Sequence, residues 1–130
     1  MDNTKKIISW VVTLLIAIIL FQTLYFKFTG AEESKYIFRT LGLEPWGRIG
    51  SGIAELIAVI LLLMPRTRAL GALLALGVIV GALFSHLTKL GVNVQGDGGL
   101  LFGLALTVFT GSLILLFLHR RELPVVGAWL

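Results

Sequence analysis

Residues 7–26 read IISWVVTLLIAIILFQTLYF, a run without a single charge, led in by Lys5 and Lys6. A helix rises about 1.5 Å per residue, so this run reaches about 30 Å, the thickness of a bilayer's hydrocarbon core. The basic start is that of a signal peptide, but the run is too long for a signal core and no small-x-small cleavage site follows it. It is read as a first membrane span that is retained.

Three more runs obey the same logic. Residues 47–64 follow Pro45, a residue tolerated at a helix start, and Trp46, which favours the interface. Pro65, Arg66, Thr67 and Arg68 then form a turn only long enough to join antiparallel neighbours, so 69–87 is a third span packed back on the second. A polar, glycine-rich stretch from Thr88 to Asp97 leads to a fourth, 98–118, closed by His119, Arg120 and Arg121. Between the first two spans, residues 32–41 read as a short interfacial helix, with Tyr36, Ile37 and Leu41 facing lipid or the bundle and Gly42 as its stop. The tail 123–130 is short and apolar, with Trp129 expected at the interface. The fold class is all-α: an integral membrane antiparallel four-helix bundle occupying residues 1–130 as one domain.

Composition excludes several alternatives. The chain is 57% hydrophobic and 14% charged, unlike a soluble domain. Its formal net charge of +4 does not point to nucleic acid, because the Lys and Arg residues sit at span ends and form no basic stripe. With no cysteine, the chain forms no disulfide and runs no thiol exchange. No phosphate loop, haem-like histidine pair or metal-ligand spacing is present, and His86 and His119 fall at opposite ends of the bundle, so no metal site is expected.

Four spans put both termini on one side. That side carries Lys5, Lys6, Arg66, Arg68, Arg120 and Arg121 against Asp2 and Glu122, all close to span ends; the other carries five cations against four carboxylates. The positive-inside rule therefore expects both termini on the cytoplasmic side. Small residues recur at helical spacing (Gly47, Gly50, Ala54 and Ala58; Gly77, Gly81 and Ser85; Gly99, Gly103, Thr107 and Gly111), as where helix backbones approach closely in lipid, either within one bundle or across a homodimer.

Glu55 is the exception within the spans. It lies about 12 Å into the second one, where an acidic side chain costs about 2.5 to 3.5 kcal/mol, so it is expected to be protonated, paired or facing a wet cavity. Helical side chains lean toward their own N-terminus. Glu55, on a descending helix, then leans outward, while Lys27 and His86, closing ascending helices, lean inward toward it. Gln22 lies at a depth near Glu55, and Asp97 starts the fourth span at the outer mouth. Together Glu55, His86, Lys27, Gln22 and Asp97 would line a polar pocket opening outward. Plainer roles stand beside this one: a packing hydrogen bond for Glu55, snorkelling for Lys27 and His86, and helix capping for Asp97.

Residues 21–30 (FQTLYFKFTG), 52–65 (GIAELIAVILLLMP) and 81–87 (GALFSHL) resemble the DoxX-like family of small four-helix bacterial membrane proteins. The most specific piece is the Gly-x-x-Glu-Leu stretch before a leucine run and Pro65, with a histidine ending the next span. The resemblance implies Lys27, Glu55 and His86 as the polar positions of the bundle, and an association in some members with thiosulfate:quinone oxidoreductase or other redox systems. The function expected is a small accessory subunit that binds a lipophilic molecule such as a quinone, beside a membrane redox protein. Three alternatives remain: an enzyme with Glu55 as acid or base and His86 relaying a proton, a proton-coupled transporter, or an assembly factor, the latter two acting as dimers.

Overall fold

The computed structural model describes residues 2–94 and 96–123. The tail beyond Leu123, with Trp129, lies outside the described residues. Helix α1 (Asn3–Thr29) is longer than its apolar run at both ends. The Asp2 side chain accepts from the Lys5 backbone N–H at 2.8 Å and holds its first turn, while Gly30, at φ 69°, turns back to the Lys27 and Phe26 carbonyls. Helix α2 (Glu32–Thr40) is the short amphipathic element expected in the first loop. Glu32 and Glu33 in its first turn and Arg39 in its last match the helix dipole. Helix α3 (Trp46–Leu63) starts after Pro45 and ends as the chain becomes extended at Met64. A 3-10 turn over Pro65–Thr67 feeds helix α4 (Arg68–Ser85), which loosens into a π-helical turn, His86–Leu90, before Gly91. Helix α5 (Leu100–Leu118) closes the bundle.

The four long helices form a ring in the order α1, α3, α4, α5, each packed against its two neighbours. All four are long and apolar enough to cross a membrane. Neighbours run antiparallel, so the start of α1, the α3–α4 turn and the end of α5 share one end of the bundle. Direct bonds join them there, Arg68 to Ser9 and Ser9 to His119. Helix α2 lies across the other end. Ile16, Leu20, Leu62, Ala72, Ala75, Val108 and Leu115 fill the centre. The outer surface is apolar as well: Phe84, Phe117 and Ile18 are about two thirds exposed, as suits a chain whose solvent is lipid.

The small residues divide into two groups. A Cβ on Gly71 would lie 2.6 Å from the Leu62 backbone nitrogen, so α3 and α4 touch backbone to backbone near the turn that joins them. A Cβ on Gly52 would strike Phe28, and one on Gly111 would strike Ile16. Gly50, Gly77, Gly81 and Gly103 have no such neighbours. Close packing inside the bundle thus falls at Gly71 and Gly52, outside the stripes read from the sequence, and at Gly111. Toward the α2 end, Gly77, Gly81 and Ala82 on α4 and Gly47 and Ser51 on α3 present little side chain to each other. The space left open is a half-open cavity of about 490 Å³ lined by α1, α3, α4 and α5, with α2 across it.

Candidate functional site

The polar wall of this cavity is built from two helices with matched spacing. Thr23 and Lys27, four residues apart on α1, share a face, as do Ser51 and Glu55 on α3. The faces meet. Lys27 Nζ forms an ion pair with Glu55 Oε1 and donates to Ser51 Oγ at 2.8 Å, and Thr23 Oγ1 donates to Glu55 Oε2 at 2.5 Å. Both carboxylate oxygens are therefore engaged. The side chains of Lys27 and Glu55 are 16% and 4% exposed, so a charge that would be costly alone is compensated within one contact. The Phe38 ring of α2 stands 5.7 Å from the Lys27 ammonium, a cation–π contact beneath the cover. Arg48, itself buried, donates to the Lys27 carbonyl at the end of α1 and pairs with Glu44 at 2.9 and 3.0 Å. It anchors the start of α3 to the end of α1, holding Lys27 opposite Glu55.

His86 lines the same cavity from the end of α4. The π-helical turn brings the Gly91 carbonyl within 2.8 Å of His86 Nδ1, and the Phe102 ring meets the imidazole edge to face at 5.5 Å. No hydrogen bond joins His86 to Glu55 among the described residues. Apart from Ser34 and Ser85, the remaining wall is apolar, with Ile19, Leu20, Phe38, Leu104 and Val108 among its members.

Two of the five residues expected in the pocket are elsewhere. Gln22 is exposed on the outer surface of α1 and does not line the cavity; Thr23, one position on, takes that place. The reason is angular: a residue four before Lys27 lies some 40° from it around the helix, and one five before lies some 140° away. Asp97 is also absent from the cavity wall. Its carboxylate accepts the backbone N–H groups of Val94, Gly99 and Leu101 at 3.0, 2.8 and 3.1 Å, ordering the turn into α5. Those bonds, the Leu101 one foremost, hold its carboxyl below the ordinary aspartate range.

A second polar cluster, unforeseen in the sequence, occupies the opposite end. Arg68 is buried, donates to the Leu62 carbonyl and to Ser9 Oγ at 2.8 and 2.9 Å, and stacks 4.1 Å over Trp10. Ser9 Oγ meets His119 Nε2 at 2.7 Å, and His119 Nδ1 meets Glu122 at 2.7 Å. The cluster ties α1, α4 and α5 together and takes no part in the wall of the cavity beneath α2. Its only sequence signal was a basic turn and a terminal histidine, which read equally well as interfacial charges.

No curated protein and no solved structure matches this chain. A family model described as the DoxX-like family matches residues 11–112, a stretch holding all of the cavity wall and excluding Ser9, His119 and Glu122. Four apolar helices in a ring, with Lys27 and Glu55 paired inside and His86 across from them, are thus the arrangement of a member of the DoxX-like family, to which this chain belongs.

Proposed function

We propose that this protein is a small accessory subunit of a membrane redox system, binding a lipophilic molecule with a polar head, such as a quinone, in the cavity covered by α2. One observation carries the reading: a half-open, mostly apolar cavity of about 490 Å³, the size of a small-molecule site, with a buried Lys27–Glu55 pair on its wall. The head would take hydrogen bonds at the polar wall and the tail would lie among Ile19, Leu104 and Val108. Glu55 acting as a general acid or base is less favoured, because both its oxygens are engaged and His86 makes no bond to it. The association with a redox partner and the placement in a bacterial inner membrane rest on the family resemblance, and the cytoplasmic side of both termini on the charge asymmetry.

Titration of the purified protein with a decyl-tailed benzoquinone, followed by tryptophan fluorescence and native mass spectrometry, tests the binding. The expected result is one molecule bound per chain, weakened at least about tenfold in the Lys27→Met/Glu55→Leu double variant, a loss of about 1.4 kcal/mol. Equal affinity in a folded double variant would sink the reading, as would no binding to the native protein. Gentle extraction followed by copurification tests the partner.

A further inference from the structure

The donors and acceptors left free on the cavity wall specify the chemistry of the head group. Each Glu55 oxygen already accepts one hydrogen bond, from Lys27 and from Thr23, and the carboxylate has no donor to offer. Lys27 has three N–H bonds, of which Glu55 and Ser51 take two. One donor is therefore left.

His86 supplies the opposite. Its Nδ1 lies 2.8 Å from the Gly91 carbonyl oxygen, and a carbonyl only accepts, so Nδ1 carries the hydrogen. In the neutral ring the lone pair then sits on Nε2, which has no partner among the described residues. His86 is 94% buried and lines the cavity, so this lone pair is an acceptor that a molecule held in the cavity can meet. The Gly91 carbonyl is fixed by the same π-helical turn, since the Gly91 N–H returns to the His86 carbonyl at 2.8 Å. The tautomer is therefore built into the backbone.

We infer that the ligand of this cavity carries a hydroxyl group, donating its O–H to His86 Nε2 while an oxygen accepts from Lys27, so that a quinol or another phenol-headed amphiphile is held in preference to the corresponding quinone. This rests on the binding reading above and refines it. A quinone has acceptors alone: it satisfies Lys27 but displaces water from His86 Nε2 without replacing its hydrogen bond, and a polar group left without its partner is what separates close analogues most sharply.

Three probes sharing one decyl tail decide the matter under anaerobic conditions: the benzoquinol, the benzoquinone, and the benzoquinol dimethyl ether, which keeps the oxygens and removes both donors. The quinol is expected to bind the native full-length protein about tenfold more tightly than either of the others, and His86→Phe to bring all three within about threefold. Equal binding of quinol and ether by the native protein overturns the inference and leaves the binding reading standing; failure of all three to bind overturns both. Nitrogen NMR of the imidazole gives a reading that needs no variant: Nε2 should appear unprotonated and should shift when the quinol binds, and a ring protonated at Nε2, alone or together with Nδ1, refutes the assignment.

Discussion

At the scale of single residues, the pairing of Lys27 with Glu55 decides how the bundle tolerates charge in its interior. Lys27→Met leaves Glu55 buried with only Thr23 as donor, and is expected to destabilise the protein by about 3 to 5 kcal/mol. Glu55→Gln keeps an acceptor for Lys27 and should cost less. The double change Lys27→Met/Glu55→Leu removes both charges and should recover most of the loss, because a buried pair stabilises little relative to well-packed apolar groups. Thermal unfolding in one detergent ranks the four proteins; a double variant as unstable as Lys27→Met would disprove the pairing as the cause.

Asp97 gives a second prediction at this scale. Its folded carboxyl titrates lower than in an unfolded chain, chiefly through the Leu101 amide, so it favours the fold at pH values above the unfolded value. That contribution is lost as pH falls through the depressed folded value. Asp97→Asn retains an acceptor but not the titration, so the native protein should melt higher than the variant near neutrality and the gap should narrow on acidification. A gap unchanged by acid would show that the carboxylate charge contributes nothing.

Among the elements, the seam between α3 and α4 is closed at one end and open at the other. Gly71→Ala places a methyl carbon 2.6 Å from the Leu62 backbone nitrogen, which cannot swing aside, and should cost about 1 to 3 kcal/mol. Gly77→Ala and Gly81→Ala meet no atom within 4 Å and remove a flexible residue from a helix, so each should be neutral or stabilising by up to about 1 kcal/mol. Unfolding curves for the three variants separate a backbone contact from a mere stripe of small residues. Equal effects at Gly71 and Gly77 would contradict the packing described.

For the whole molecule, the bonds among Arg68, Ser9 and His119 place the start of α1, the end of α5 and the α3–α4 turn at one end, with α2 at the other. Because the chain has no cysteine, single introduced thiols report sidedness cleanly. Ser34 is buried on the inner face of α2 and makes a poor reporter, whereas Glu33 and Arg66 are exposed. Glu33→Cys is expected to label from outside intact cells and Arg66→Cys only after permeabilisation, following the excess of Lys and Arg at the termini. Labelling of both from one side would break the four-span topology; the reverse pattern would invert the orientation alone.

The amino-acid sequence by itself determined the class of fold, the four spans and the short helix between the first two, because each depends on local quantities: the length of an apolar run, a capping residue, a proline or glycine at its end. It also marked Lys27, Glu55 and His86, since a charged or titratable group within or at the end of a span stands out in any context. What only the tertiary structure decided is how the helices are rotated and how closely they approach. That rotation chose Thr23 over its neighbour Gln22, though the four-residue spacing to Lys27 was already a signal for it. It drew the Asp97 carboxylate to backbone amides, moved the tight contact of α3 and α4 to Gly71, and gathered Ser9, Arg68 and His119 from 110 residues of sequence separation. The tautomer of His86 is of the same kind. It is set by a carbonyl five residues on, which a regular α-helix would have turned away and the π-helical turn brings within reach. Local propensity acts along one helix, whereas these pairings follow from packing between helices, where the cost of an unsatisfied polar group in lipid selects the partners.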